Sequence, residues 1–190
     1  MEISNFDWKK YFIVLLFCFF SVCCYADGVD NTLTKKDYFI KFYNLSVDIL
    51  KTGDWNILIP FYTWHDRFTN TYTREQIERY NESPWGVGFE KTKPVNDRDI
   101  NGLGVMKFQD SHNRSQYITM YLYERNYFNK YDFKFNLGYG AGFSYRTDMW
   151  DYAPFPAVIP IISIGYRNIF IQGTYLLGFD VAFFWIKYSF

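Results

Sequence analysis

DVAFFWIKYSF, residues 180–190, alternates to its last residue. Phe184, Ile186, Tyr188 and Phe190 fall on one face of an extended chain, because successive side chains of a strand point to opposite sides. Apolar residues at a period of two read as a strand. Working back through the chain, seven further β-like runs follow, broken by polar or glycine-containing turns. They are WNILIPFYTWHDRF (55–68), PWGVGFEKT (84–92), NGLGVMKFQDS (101–111), SQYITMYLYER (115–125), YDFKFNLGYGAGFSYR (131–146), FPAVIPIISIGYR (155–167) and NIFIQGTYLLG (168–178). Eight antiparallel strands close into the smallest common outer-membrane barrel. The expected fold is therefore all-β, an eight-stranded antiparallel barrel over residues 54–190.

Composition agrees. A terminal phenylalanine after such alternation resembles the insertion signal of bacterial outer-membrane proteins. Of 190 residues, 24% are aromatic, with 18 Tyr and 21 Phe. Barrels in lipid carry such residues as girdles at both interfaces. Formal net charge is zero, and no basic run points to nucleic acid.

The N-terminus reads as a targeting segment. Lys9 and Lys10 precede an apolar run over 11–20, too short for a membrane span of about 20 apolar residues, and CYA at 24–26 offers a cleavage site before Asp27. Residues 1–26 are expected to be a cleaved signal peptide, which would remove Cys18, Cys23 and Cys24 and leave no thiol chemistry or disulfide. Residues 27–53 are expected to hold one amphipathic α-helix. Thr34 and Asp37 form a capping pair, and Gly53 is a stop. Phe39, Phe42, Tyr43, Val47, Ile49 and Leu50 recur at helical spacing. The stripe fits a membrane interface or a cover over a core.

Two strands depart from alternation. NILIPFY and PAVIPIISI are apolar on both faces, whereas a porin-like barrel is polar inside. Either the lumen accepts something apolar, or a helix or packed plug covers these strands. Both carry a proline, Pro60 and Pro160, where a closed barrel needs every N–H in its ladder. An unpaired group in lipid costs several kcal/mol, so a gap in the wall that admits lipid is one purpose for them.

Candidate chemistry is sparse. His65 and His112, the two histidines, stand in no HExxH motif and no carboxylate or cysteine cluster, so a metal site is not expected. His65 closes the first strand, and Asp110 and Ser111 close the third, on the same rim of a meander. A serine hydroxyl needs a base to act as a nucleophile, which makes Ser, His and Asp together a candidate for acyl transfer. Neighbours on a strand face opposite ways, so Asp110 orients His65 behind Ser111 only where the chain leaves strand geometry. Alternatively His65 and Asp110 activate an incoming hydroxyl while Ser111 positions the ester. A solvated polar rim has the same composition.

These residues resemble the PagP family of outer-membrane lipid A palmitoyltransferases, from the N-terminal helix to Phe190. IPFYTWHDRF is similar to the family's first strand with its catalytic histidine, at His65. RYNESPWGVGF (79–89) follows the loop into strand two, FQDSHN carries the Asp–Ser pair at Asp110 and Ser111, and WDYAPFPAVIPIISIGY completes the match. The resemblance implies a monomeric barrel in the outer membrane, with a periplasmic helix and an active site at the extracellular rim. It implies transfer of palmitate or a somewhat shorter chain from the sn-1 position of a phospholipid to lipid A, with no cofactor. Pro60, Pro84 and Pro160 match positions that weaken the wall at two lateral gates, and Leu177 stands at a fourth. Leu122 falls where the family has a glycine at the floor of the acyl pocket. The rival readings are a phospholipase-type hydrolase and a non-enzymatic barrel such as an adhesin.

Overall fold

The structure, a computed structural model, describes residues 34–68, 71–146, 153–176 and 179–190. The expected signal peptide and Leu177 lie outside them. The chain forms two compact units, Met1–Val47 and Asp48–Phe190.

Helix α1 spans Lys35–Thr52. Thr34 and Asp37 cap it reciprocally: the Thr34 N–H donates to Asp37 Oδ2 at 2.8 Å and the Asp37 N–H to Thr34 Oγ1 at 3.4 Å. In the first unit Phe39, Ile40 and Tyr43 are exposed. The last turn belongs to the second unit. Its Asp48 carboxylate meets Lys93 Nζ at 2.5 Å, and Lys91 Nζ donates to the Leu50 carbonyl at 2.7 Å. Gly53 ends the helix with an N–H to Ile49 O hydrogen bond of 2.9 Å.

Eight strands follow: β1 Asp54–His65, β2 Gly86–Pro94, β3 Asp99–Gln109, β4 Ser115–Lys130, β5 Phe133–Arg146, β6 Phe155–Tyr166, β7 Ile169–Leu176 and β8 Val181–Ser189. They form a closed antiparallel barrel in sequence order, with β8 returning to β1. Strand β4 runs past the expected end at Arg125 to Lys130, because β5 supplies partners down to Lys130↔Phe133. A short helix α2, Arg74–Glu78, stands in the β1–β2 connection, with Thr73 and Gln76 as its capping box.

The wall is incomplete at two places. β1 pairs with β2 only from Asp54↔Thr92 to Leu58↔Gly88, and Pro60 lies just beyond. β6 pairs with β7 only from Tyr166↔Ile169 to Ile162↔Gly173, and Pro160 and Pro156 follow in the unpaired half. A proline has no N–H to offer a ladder, so the sequence stops the pairing where the structure does.

The lumen is layered. Its middle is apolar, with Leu58, Phe108, Leu122, Ile161, Phe183 and Trp185 buried together. Toward the end where β1 begins it turns polar. Lys187 Nζ lies 3.0 Å from Glu124 and 3.3 Å from Glu90, Gln172 and Asn136 donate to Glu124, and Trp185 Nε1 donates to Gln172. Buried charges need such partners. The double-sided apolar runs thus include lumen wall at Leu58 and Ile161.

Candidate active site

His65 reaches the lumen through a defect. Leu58 and His65 both face inward, which an uninterrupted strand forbids to residues seven apart. The β1–β8 register shifts between Pro60 and Tyr62, a bulge of one residue at Phe61. The bulge moves the inward face from even to odd positions, so Thr63 and His65 turn in. His65 is 3% exposed.

Its imidazole is held at both nitrogens. Nε2 lies 2.9 Å from Ser111 Oγ, and Nδ1 lies 3.2 Å from Glu82 Oε1. The same carboxylate oxygen accepts the His65 backbone N–H at 3.2 Å, while Arg67 Nη2 donates to Glu82 Oε2 at 2.8 Å. Partial burial pushes the Glu82 carboxyl up, but the hydrogen bonds from the His65 backbone, Arg67 and the His65 ring outweigh it and hold the group below the ordinary carboxylate value. Tyr80 packs at 4.6 Å between ring centroids, and Tyr72 meets the imidazole edge-on at 5.3 Å.

Ser111 stands in the β3–β4 turn, beyond the end of β3 at Gln109. Asp110 builds that turn. Its Oδ1 accepts the N–H groups of His112 at 2.9 Å and Arg114 at 2.8 Å, and its Oδ2 accepts from Arg146 at 3.0 Å. Asn113 takes a left-handed backbone, φ 61°, which Asn tolerates. Of the three residues expected to meet, the structure brings His65 and Ser111 together. Asp110 makes no hydrogen bond to His65.

The segment before β2 joins the two halves. The Thr63 N–H donates to Glu82 O, where the β2 ladder is absent, and the Asn81 N–H donates to Ser111 O at 2.8 Å. Asn81 Nδ2 also donates to Asn113 at 2.7 Å, and the Gln109 N–H donates to Trp85 O at 3.0 Å. Residues 81–85, with Pro84 among them, thus stand in for the missing upper part of β2. Neither Glu82 nor Asn81 is among the site residues expected from the sequence. A signal was present, since Glu82 is the one carboxylate in RYNESPWGVGF and a serine–histidine pair needs one.

Leu122 is buried in the apolar layer, two residues along β4 from Glu124. Its Cδ1 lies 3.5 Å from the place of a Cβ on Gly102 and 3.4 Å from that on Gly104, so it fills the space those glycines leave on β3.

Fold and site together define a class: a small membrane-type β-barrel with a histidine–serine pair at one rim, above an apolar lumen. The comparisons specify it. The family model described as antimicrobial peptide resistance and lipid A acylation protein PagP matches residues 46–187. A lipid A acyltransferase PagP of Pectobacterium parmentieri (strain WPP163) is 36% identical, over 86% of this chain and 80% of its own length. One of Citrobacter koseri is also 36% identical, over 96% and 98%, and one of Pectobacterium atrosepticum 38%, over 77% and 69%. The chain belongs to the PagP family of lipid A acylation proteins.

Proposed function

We propose that the protein transfers a fatty acyl chain from the sn-1 ester of a phospholipid to a hydroxyl of lipid A, in the outer leaflet of the outer membrane. The observation that carries this reading is the 2.9 Å contact between Ser111 Oγ and His65 Nε2, set at the mouth of a lumen lined by Leu58, Phe108 and Phe183. A donor chain in that lumen presents its ester carbonyl to the pair. His65 takes the Ser111 proton as Oγ bonds to the carbonyl carbon, and the resulting oxyanion collapses with release of the lysophospholipid alkoxide, which receives the proton from His65. The lipid A hydroxyl then repeats the sequence in reverse: His65 takes its proton, its oxygen bonds to the acyl carbon, and Ser111 leaves and is reprotonated. Asp110 supports this by fixing the turn that carries Ser111.

The interrupted pairings fit lateral entry, with Pro60 and Pro84 beside one gap and Pro160 beside the other. Donor and acceptor both live in lipid, and a closed wall would keep them from the lumen. Helix α1 joins β1 at the end opposite His65. With that end of the barrel on the periplasmic side, the site faces outward, where the acceptor resides. The barrel acts as a monomer, and residues 1–26 are removed on export.

The test is direct. Detergent-solubilised protein is incubated with phosphatidylcholine labelled in its sn-1 chain and with lipid A. Labelled lipid A is expected. Free fatty acid alone would assign a hydrolase, and the absence of any product would leave a non-enzymatic barrel.

A further inference from the structure

We infer that Glu82 is the carboxylate that positions His65, a role that the residue order Asp110–Ser111 leads one to give to Asp110. The inference rests on the proposed reading of His65 as the base. Three observations carry it. An ionised carboxylate only accepts hydrogen bonds, so Glu82 Oε1 at 3.2 Å selects the tautomer with its proton on Nδ1. That leaves the Nε2 lone pair facing Ser111 Oγ at 2.9 Å.

Glu82 is itself fixed. Its second oxygen is tied to Arg67 at 2.8 Å, its first also accepts the His65 backbone N–H, and its carbonyl accepts the Thr63 N–H at 2.9 Å. Asn81, next to it, is bonded to the Ser111 carbonyl. The His-bearing strand and the Ser-bearing turn are therefore registered to each other through residues 81 and 82. Asp110, by contrast, has both oxygens engaged, by two backbone N–H groups of its own turn and by Arg146. Turning it toward His65 would unmake the turn.

The groups facing the imidazole are Glu82 and Arg67 from the ends of the β1–β2 connection, His112 from the β3–β4 turn, and the rings of Tyr72 and Tyr80. Removing the Glu82 charge leaves a cation, Arg67, and a titratable ring, His112. The imidazolium is then less favoured, so the acid limb of the rate profile moves to lower pH.

Purified, folded protein in detergent is assayed for acyl transfer against pH as wild type, Glu82→Gln, Glu82→Asp and Asp110→Asn, with His65→Ala as reference. Heat-modifiable mobility on gels checks folding. Glu82→Gln is expected to lower plateau kcat on the order of 10²-fold or more, to shift the acid limb downward, and to leave KM for the donor near wild type. Glu82→Asp keeps the charge and restores part of kcat and the position of the limb. Asp110→Asn, acting on the serine turn, lowers the rate without moving the limb. A wild-type plateau and limb in Glu82→Gln would overturn the inference, and so would a limb shifted by Asp110→Asn alone. If Glu82→Gln fails to fold, nitrogen NMR of His65 in the wild type decides: protonated Nδ1 supports the inference and protonated Nε2 overturns it. An active His65→Ala would instead sink the reading of the site as a whole.

Discussion

Replacing Leu122 by glycine should lengthen the acyl chain that the protein transfers. From Ser115, which pairs with Gln109 at the base of the serine turn, to Leu122 is seven residues along β4. At about 3.4 Å per residue that is roughly 24 Å, and a strand tilt of about 40° leaves roughly 18 Å of depth. A zigzag of bonds about 1.5 Å long advances about 1.25 Å per carbon. A chain reaching from the serine turn down to Leu122 would then be about 14 carbons long, short of palmitate. Below Leu122 the lining changes to Glu124 and Gln172, which reject a methylene. Leu122 thus closes the last apolar volume. The residues beside it on β3 and β5 are Gly102, Gly104 and Gly140, so the flanking strands offer no side chain at those positions to refill the space. Opening room for two methylenes at about 0.8 kcal/mol each favours the longer chain by about 1.6 kcal/mol, more than tenfold. The variant loses about 2–5 kcal/mol of stability from the vacated site, so folding is checked first. Mass spectrometry of lipid A after reaction with mixed-chain donors gives the ratio. Identical chain distributions from wild type and variant would show that Leu122 does not limit length, and the depth reasoning would be wrong.

Four other outcomes are expected. His65→Ala and Ser111→Ala each lose about 10²–10⁴-fold in transfer with heat-modifiable folding intact, and Asp110→Ala loses most activity through its turn; near-normal turnover in His65→Ala would refute the site. Deleting Phe61 removes the bulge but keeps the β1–β8 register of Thr63 and His65, with four strand steps then separating Pro60 from His65. A folded deletion protein should therefore keep His65 in the lumen and stay active; a folded but inactive deletion protein would refute the register argument. Lys187→Ala leaves Glu90 and Glu124 buried without their cation, a break that costs about 3–5 kcal/mol, read as a fall in thermal midpoint in detergent. The Lys93 hydrogen bond holds the Asp48 carboxyl below its ordinary value, so this pair adds stability above the unfolded value of about 3.9 and loses it as pH falls through the folded value. Asp48→Asn should therefore lower the midpoint slightly at pH 7 and leave it unchanged well below pH 3.9.

The barrel was legible in the sequence because lipid imposes the pattern. Strands facing hydrocarbon must alternate or be apolar throughout, and turns must be polar, so eight runs could be read within a few residues of their ends. Where β4 continues, the extra residues NYFNK carry no apolar alternation; they are strand because β5 opposes them. The interruptions of the wall were half legible. Pro60 and Pro160 mark lost donors, but only the register shows that β1–β2 pairing stops at Leu58 and β6–β7 pairing at Ile162.

The site was legible by residue type and not by geometry. Periodicity counts faces by parity, and parity fails wherever a strand carries an odd bulge: the extra residue at Phe61 exchanges the inner and outer faces of everything after it. Had β1 been uniform, Leu58 in the lumen would have put Trp64 inside and His65 in lipid. The same defect explains why the carboxylate at His65 Nδ1 is Glu82 and not Asp110. Once β1 bulges and Pro60 breaks its ladder, the neighbour of its upper half is the irregular segment 81–85, and it is from there that a carboxylate can reach His65 Nδ1. A sequence scan looks for the acid beside the serine, because that is where a short motif displays it. The physical requirement is different: the acid must sit on the far side of the imidazole from the hydroxyl. Asp110, one residue from Ser111, is covalently held to the near side, and Glu82 is not.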